Sequence, residues 1–155
     1  MSFENLSVTE KLHTCVKVLK WFGYDCNVSE KELMSYLTLT ADTPYSDLSS
    51  KAILSDDLWL IHELIEINEL KKMGIAITGK DLIMKNLEKV YEAHLKALKL
   101  ELLIAQKLSR LDHIERSFKN LKNIVHNDPL VPSHLRSAFK DMLEKYRDAL
   151  EGAKK

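Results

Sequence analysis

The sequence of 155 residues predicts an all-α protein, a bundle of about five to six helices. Apolar residues recur every three or four positions in six segments, which is the period of an amphipathic helix. The chain contains only four glycines and three prolines, and no segment alternates convincingly between apolar and polar residues as a strand does. The length is sufficient for one domain with a hydrophobic core.

Two helices are predicted in the N-terminal third. Residues 8–22 carry an apolar stripe, and Gly23 provides a C-terminal stop. Ser29 and Glu32 have the spacing of a capping box, which predicts a short helix from there to about Leu39. Residues 40–50 are rich in turn-forming residues and predict a linker or a lid over a site. We expect a single domain over residues 1–155, although residues 1–50 also fit a helical appendage on a bundle of residues 56–151.

Two long helices follow and are expected to form a central antiparallel pair, residues 56–73 and 79–109. Gly74 ends the first helix, and the short connector after it predicts that the chain turns straight back. Near Ser109 the apolar stripe changes direction by well over a quarter turn, which predicts a break with Ser109 capping the next helix. That helix runs to about His126, and a last helix covers about residues 134–151.

Composition excludes several classes of function. Lys plus Arg and Asp plus Glu are both 23, so the net charge is zero, which argues against a general nucleic-acid binder or a membrane-surface binder. No apolar run reaches the roughly 18–20 residues of a membrane span, and the N-terminus lacks the pattern of a signal peptide. Cys15 and Cys26 form no Cys-x-x-Cys motif, which favours a reduced, cytoplasmic protein.

The first central helix combines an apolar surface with acidic residues and a histidine. At about 100° per residue, His62, Glu66 and Glu69 share one face, while Glu63 lies apart. Apolar residues cover the other sides, so the helix has no fully polar face to expose. A helix of this kind is expected at the centre of a fold. Some of its carboxylates are then at least partly buried.

The second central helix repeats this pattern, because His94 and Glu101 lie in the middle of its apolar stripe. A buried carboxylate without a partner costs several kcal/mol, so these groups need partners. Three arrangements satisfy them: they bind a metal ion, they pair with one another, or they line a wet cleft that receives a small-molecule ligand. The residue types and their spacing are compatible with all three arrangements.

The metal interpretation assigns a role to each candidate residue. Histidine nitrogen and glutamate oxygen suit Zn, Mn or non-haem Fe, and the i, i+4 spacing of His62 and Glu66 places two ligands on one helix face. His94 and Glu101 lie ~10 Å apart along the helix axis, so one ion cannot take both. We therefore expect His62, Glu66 and His94 to bind the metal, and Glu101 or Glu69 to act as base in a metal-assisted hydrolysis.

The alternative is a non-enzymatic interaction module in which the inward His and Glu residues are structural. In that case they form ion pairs, or the apolar central helix lies at the seam of a homo-oligomer. Known motifs do not decide the matter. HELIE has Glu66 where the zinc motif His-Glu-x-x-His requires a second histidine, and the two central helices carry no Glu-x-x-His pair. His113 lies at the edge of the apolar stripe of its helix and is expected at the surface or at the boundary of the core.

The stretches WLIHELIEINELKKMGIAIT and KVYEAHLKALKLELLIA resemble an uncharacterised group of small archaeal all-helical proteins, over about residues 56–105. The resemblance implies a cytoplasmic all-α protein. It implies no substrate and no reaction.

Overall fold

The structure, a computed structural model, describes residues 2–41 and 49–153, and within these ranges it contains eight α-helices and no strand. The predicted all-α bundle is confirmed. Two 3-10 turns, Phe3–Asn5 and Ser133–Leu135, precede the first and the last helix. The α-helices are α1 (Val8–Trp21), α2 (Glu30–Ala41), α3 (Ser50–Leu54), α4 (Asp57–Lys72), α5 (Leu82–Lys85), α6 (Leu87–Lys107), α7 (Leu111–Asn127) and α8 (Arg136–Ala153).

Two of these helices were not expected as separate elements. The short α3 begins at the end of the predicted linker, whose residues 42–48 lie outside the described residues. The helix predicted over 79–109 is divided into α5 and α6 at Asn86, whose backbone has φ −123° and ψ 33°. The Asn86 side-chain amide donates to the Leu82 carbonyl at 2.8 Å, so it closes the end of α5 locally. The central pair is therefore 57–72 and 87–107.

The predicted break near Ser109 is present, but Ser109 acts on the helix before it. Ser109 has a left-handed backbone conformation, φ 56°, and ends α6 as Gly23 and Gly74 end α1 and α4. The backbone N–H groups of Ser109 and Arg110 donate back into the last turn of α6. The expectation that Ser109 caps α7 was wrong, since Arg110 precedes α7 and makes no side-chain cap.

Helix α4 is the centre of the fold. Every residue from Leu58 to Leu70 is buried, because α1, α2 and α3 pack on one part of its surface and α6 packs along another. Helix α6 runs antiparallel to α4: Asp57 contacts Arg110 beyond the end of α6, while Glu66 contacts His94. Ile61 is 1% exposed within a single chain, so the burial of α4 requires no second subunit, and the homo-oligomer stays a prediction.

Helices α7 and α8 complete the bundle by packing on each other and on α6. One apolar cluster extends from Leu12 in α1 to Leu150 in α8, so the residues predicted as a separable appendage share their core with the bundle. None of the described helices is both long enough and apolar enough to cross a lipid bilayer.

Candidate metal centre

Three predicted ligands meet between α4 and α6. His62 and Glu66 lie one turn apart on α4, and the antiparallel α6 places His94 opposite them. The distance from His62 Nε2 to Glu66 Oε2 is 3.1 Å, and the distance from His62 Nε2 to His94 Nδ1 is 3.0 Å. His94 Nδ1 lies 3.1 Å from Glu66 Oε2, which closes the triangle. These three atoms are therefore within bonding reach of one small cation.

The chemistry of this triangle favours a single shared positive charge. Two imidazole nitrogens and one carboxylate oxygen converge, and each carries a lone pair unless it is protonated. One proton lies between two of these atoms at a time, whereas a metal ion accepts lone pairs from all three. The side chains of His62 and Glu66 are 8% and 6% exposed, while that of His94 is 23% exposed. His94 is thus the most exposed of the three side chains.

Glu101 lies directly behind His62 and is fully buried. His62 Nδ1 lies 3.0 Å from its Oε2, and His113 Nε2 lies 2.6 Å from its Oε1. The Ser117 hydroxyl donates to Oε1 at 3.0 Å, and the Tyr146 hydroxyl is 3.3 Å from Oε2. Burial would raise the pKa of Glu101, but His62 and His113 outweigh it and hold that pKa well below its ordinary value. Glu101 is thus a buried carboxylate saturated with donors.

The hydrogen bonds beyond Glu101 determine which nitrogens carry protons. Arg116 can only donate, and its Nη2 lies 3.2 Å from His113 Nδ1, so Nδ1 accepts and the proton of His113 is on Nε2. The same guanidinium donates to Asp56 at 2.8 Å. His113 therefore donates to Glu101, which stays ionised and accepts the Nδ1 proton of His62. This leaves His62 Nε2 directed at the triangle.

The carboxylate of Glu66 is held from two sides. The Tyr36 hydroxyl donates to its Oε1, and the two histidines contact its Oε2. Burial would raise the pKa of Glu66, but its bonds to His62 and His94 hold it well below its usual range. Burial would likewise lower the pKa of His62, but Glu101 and Glu66 raise it well above 6.5. Without a metal, His62 supplies the positive charge of the site.

Two buried atoms beside the triangle have no hydrogen-bond partner in the described part of the chain: His94 Nε2 and Glu63 Oε2. Burial, together with the neighbouring charge of Glu66, raises the pKa of Glu63 to about 8. Glu63 is therefore neutral at pH 7 in the metal-free protein. Its side chain adds no charge to the cluster under these conditions.

The structure thus brings together three of the five predicted site residues, and a fourth contacts one of these three. His62, Glu66 and His94 form the triangle, and Glu101 joins it through the far nitrogen of His62. As expected from their separation along α6, His94 and Glu101 do not meet at one point. Glu101 has no free lone-pair direction toward the triangle, so its contacts favour a positioning role. Its predicted role as a base stays a prediction.

Glu69, the fifth predicted residue, lies outside the cluster. Its Oε2 accepts from the Tyr24 hydroxyl at 2.7 Å and lies 3.0 Å from Lys72 Nζ. Its Oε1 lies 3.2 Å from Lys96 Nζ. Glu69 is on the same face of α4 as His62 but two turns away, where α6 presents a lysine rather than a histidine. Its predicted role as a base also stays a prediction.

Sequence reasoning missed the shell that supports the site. His113 was expected at the surface or at the boundary of the core, but it is fully buried and its ring contacts Trp59 with 4.5 Å between centroids. Ser117, one turn later on α7, donates to Glu101, and the Tyr146 hydroxyl on α8 lies 3.3 Å from Glu101 Oε2 while it donates to the Leu98 carbonyl at 2.9 Å. A usable signal existed, because His113 and Ser117 share one face of α7 beside its apolar stripe.

A second group of His and Glu side chains, Glu88, Glu92 and His134, lies at the surface. His134 Nε2 is 3.0 Å from Glu88 Oε1, and both side chains are more than half exposed. Such exposed pairs are screened by water and salt, and they are common without an ion. The buried triangle is the better candidate for a metal centre.

Neither family models nor curated proteins nor solved structures show a significant match to this chain. The resemblance to small archaeal helical proteins accordingly stays a prediction.

Proposed function

We propose that this protein binds one divalent transition-metal ion, Zn, Mn or Fe, at His62, Glu66 and His94, and that it uses the ion for hydrolysis. One observation carries the proposal: the three donor atoms lie 3.0–3.1 Å from one another. In a tetrahedral zinc site with bonds of about 2.0–2.1 Å, the donor atoms are about 3.3 Å apart. Movements of a few tenths of an ångström would therefore admit the ion.

The surroundings of His62 support the same conclusion. Histidine ligands in metal sites usually donate their second N–H to a carboxylate, which fixes the tautomer and orients the ring. Glu101 occupies this position at 3.0 Å from Nδ1. His113 and Ser117 in turn orient Glu101. These hydrogen bonds support the assignment of His62 as a metal ligand.

The reaction class follows from the number of ligands. Three protein ligands leave a coordination position for water, as in catalytic rather than structural zinc sites. A bound divalent ion lowers the pKa of that water and polarises a substrate carbonyl or phosphoryl group. His94 is the most exposed of the three ligands, and we propose that a substrate approaches beside it. The two free thiols, Cys15 and Cys26, fit a cytoplasmic location.

The first test is the metal content of untagged protein, measured by plasma mass spectrometry after exhaustive dialysis. We expect about one ion per chain, and we expect it to be lost in His62→Ala and His94→Ala. His126→Ala, which changes an exposed histidine on α7, is the matched control and should keep the ion. Circular dichroism verifies that each variant is folded. A wild-type chain that neither contains nor takes up Zn, Mn or Fe would overturn the proposal.

The role of Glu101 has a separate test. Glu101→Gln keeps an acceptor for the His62 N–H but removes the charge, so we expect metal affinity to fall by about 10- to 100-fold. The reaction is then tested on nitrophenyl esters and phosphodiesters with metal-loaded and chelated protein. Turnover that requires metal and disappears in His94→Ala supports the hydrolase. Bound metal without turnover of any ester would leave a metal site and reject the hydrolase.

The alternative is a structural polar core in a non-enzymatic interaction protein. It is favoured by the saturation of Glu101 and Glu66, whose four oxygens all have contacts within the chain. In this case the protein contains no metal, and Zn, Mn and Fe give no thermal shift. The metal measurement therefore separates the two functions.

A further inference from the structure

A groove of about 500 Å³ lies between α4, α6 and α8, and none of the three triangle residues lines it. Its apolar wall consists of Ile65, Leu100, Leu102, Leu103 and Met142. The volume is within the range of about 300–1,000 Å³ that small-molecule sites occupy, and an apolar surface with a few polar groups is typical of such sites. Leu103 is 43% exposed, so the groove opens to solvent along α6.

The charged groups of this groove are predominantly positive. Lys96, Lys99 and Lys145 line it, and Glu69 is its only acidic residue among those described. Glu69 is already engaged by Lys96 and by Lys72. Within the described part of the chain, Lys99 and Lys145 have no ion-pair partner, so two ammonium groups remain available beside an apolar wall.

We propose that this groove binds a long-chain carboxylate, with the alkyl chain against the leucine and methionine side chains and the carboxylate at Lys99 and Lys145. The apolar wall removes methylene groups from water, which is favourable in proportion to the buried area. The unpaired lysines complement a single negative charge. An uncharged or cationic amphiphile matches the wall but not the charge, and a small anion such as phosphate matches the charge but not the wall.

The probe is decanoate, kept below its critical micelle concentration and titrated into ¹⁵N-labelled full-length protein. We expect saturable one-to-one binding, with amide shifts concentrated on α6 around Leu100 and Leu103 and on α8 around Met142. Affinity should rise roughly twofold to fourfold per methylene from hexanoate to decanoate. Decanol and decyltrimethylammonium should bind at least about fivefold more weakly.

The matched variants are double substitutions of exposed lysines. Lys99→Gln with Lys145→Gln should weaken decanoate binding by about fivefold to tenfold, because two exposed charges are removed. Lys85→Gln with Lys89→Gln, which removes two exposed lysines on α5 and α6 outside the groove, should leave the affinity unchanged. Leu103→Glu places a negative charge at the opening and should weaken binding without unfolding the chain.

Three results would overturn the proposal. They are the absence of saturation by decanoate, equal binding of decyltrimethylammonium, and shifts that fall outside the groove. A further experiment measures binding of the protein to vesicles of anionic phospholipid by sedimentation. Binding to such vesicles at the same lysines, with no binding of monomeric decanoate, would assign the groove to a membrane surface and reject the free carboxylate.

Discussion

Glu63 offers the sharpest test of the electrostatics around α4. Its carboxyl is buried, its Oε2 has no hydrogen-bond partner, and its pKa is raised to about 8 by burial and by the charge of Glu66. The change we consider is Glu63→Gln in chelated protein. Chelation matters because a cation at His62 and Glu66 would favour the ionised form of Glu63.

The sign of the effect follows from the two pKa values. The ordinary pKa of a glutamate is near 4.5, so between pH 4.5 and pH 8 the unfolded chain loses the Glu63 proton and the folded chain keeps it. The free energy of unfolding therefore falls as pH rises through this window. Glutamine does not titrate, so position 63 of the variant causes no such fall in the free energy of unfolding.

The magnitude has an upper limit from the same values. Each pKa unit corresponds to about 1.4 kcal/mol, so the full difference is about 5 kcal/mol at pH 8. The glutamine N–H group stays unpaired in the same place, which costs about 1–3 kcal/mol. We expect a net gain of about 2 kcal/mol at pH 8 and a net loss of about 1 kcal/mol at pH 5, where the unpaired amide outweighs the small linkage term. For a chain of this length, 2 kcal/mol corresponds to a rise of about 4–8 °C in Tm.

The assay is urea unfolding of wild type and variant at pH 5 and pH 8, followed by far-ultraviolet circular dichroism. Glu115→Gln, which changes an exposed glutamate on α7, is the control and should change stability by less than about 0.5 kcal/mol at either pH. A gain that is equal at both pH values, or a loss that grows toward pH 8, would refute the reasoning. It would mean that Glu63 is ionised and paired in the folded protein.

Three further predictions concern single groups. Tyr36→Phe removes the hydroxyl that donates to Glu66 Oε1, so it should lower the free energy of unfolding by about 1.5–3 kcal/mol in urea titrations. An unchanged unfolding midpoint would show that this hydrogen bond is not formed. Burial raises the pKa of the Cys26 thiol to about 12, so only about 10⁻⁴ of it is thiolate at pH 8, and Cys15 is fully buried. Both thiols should thus react with Ellman's reagent only after unfolding, whereas fast reaction of the native protein would contradict the burial of Cys15 or the raised pKa of Cys26. Ser109→Gly should raise Tm by about 2–4 °C, corresponding to about 1 kcal/mol, because glycine adopts the left-handed conformation without strain. The control Ser133→Gly, in the last 3-10 turn, should give no such gain.

The triangle was predictable because it depends on two regular features. Helical spacing places His62 and Glu66 on one face, and a short connector makes the next helix return antiparallel. The inward position of His94 then follows from its place in the apolar stripe of α6. All three conditions are local, so the sequence alone contains them.

The rest of the site depends on how distant helices rotate and pack. The face that His113 shares with Ser117 lies beside the apolar stripe of α7, but the rotation of α7 against α6 and α8 decides whether that face meets water or Glu101. Glu69 shares the face of His62, but its height along α4 brings it to Lys96 instead of a histidine. At Ser109, capping of α7 and termination of α6 both fit a serine, and only the backbone conformation distinguishes them.

The continuous burial of α4 has a consequence for synthesis on the ribosome. Thirteen consecutive residues of this helix, Leu58–Leu70, have no face suited to water, and α6, which covers part of them, leaves the ribosome later. The emerging chain therefore exposes this aggregation-prone apolar segment until α6 to α8 are complete. In the finished protein the same segment has no independent way to open, so its amide protons should exchange with deuterium only through global unfolding. Faster exchange across α4 than across α7 would show that the centre of this fold is not its most protected part.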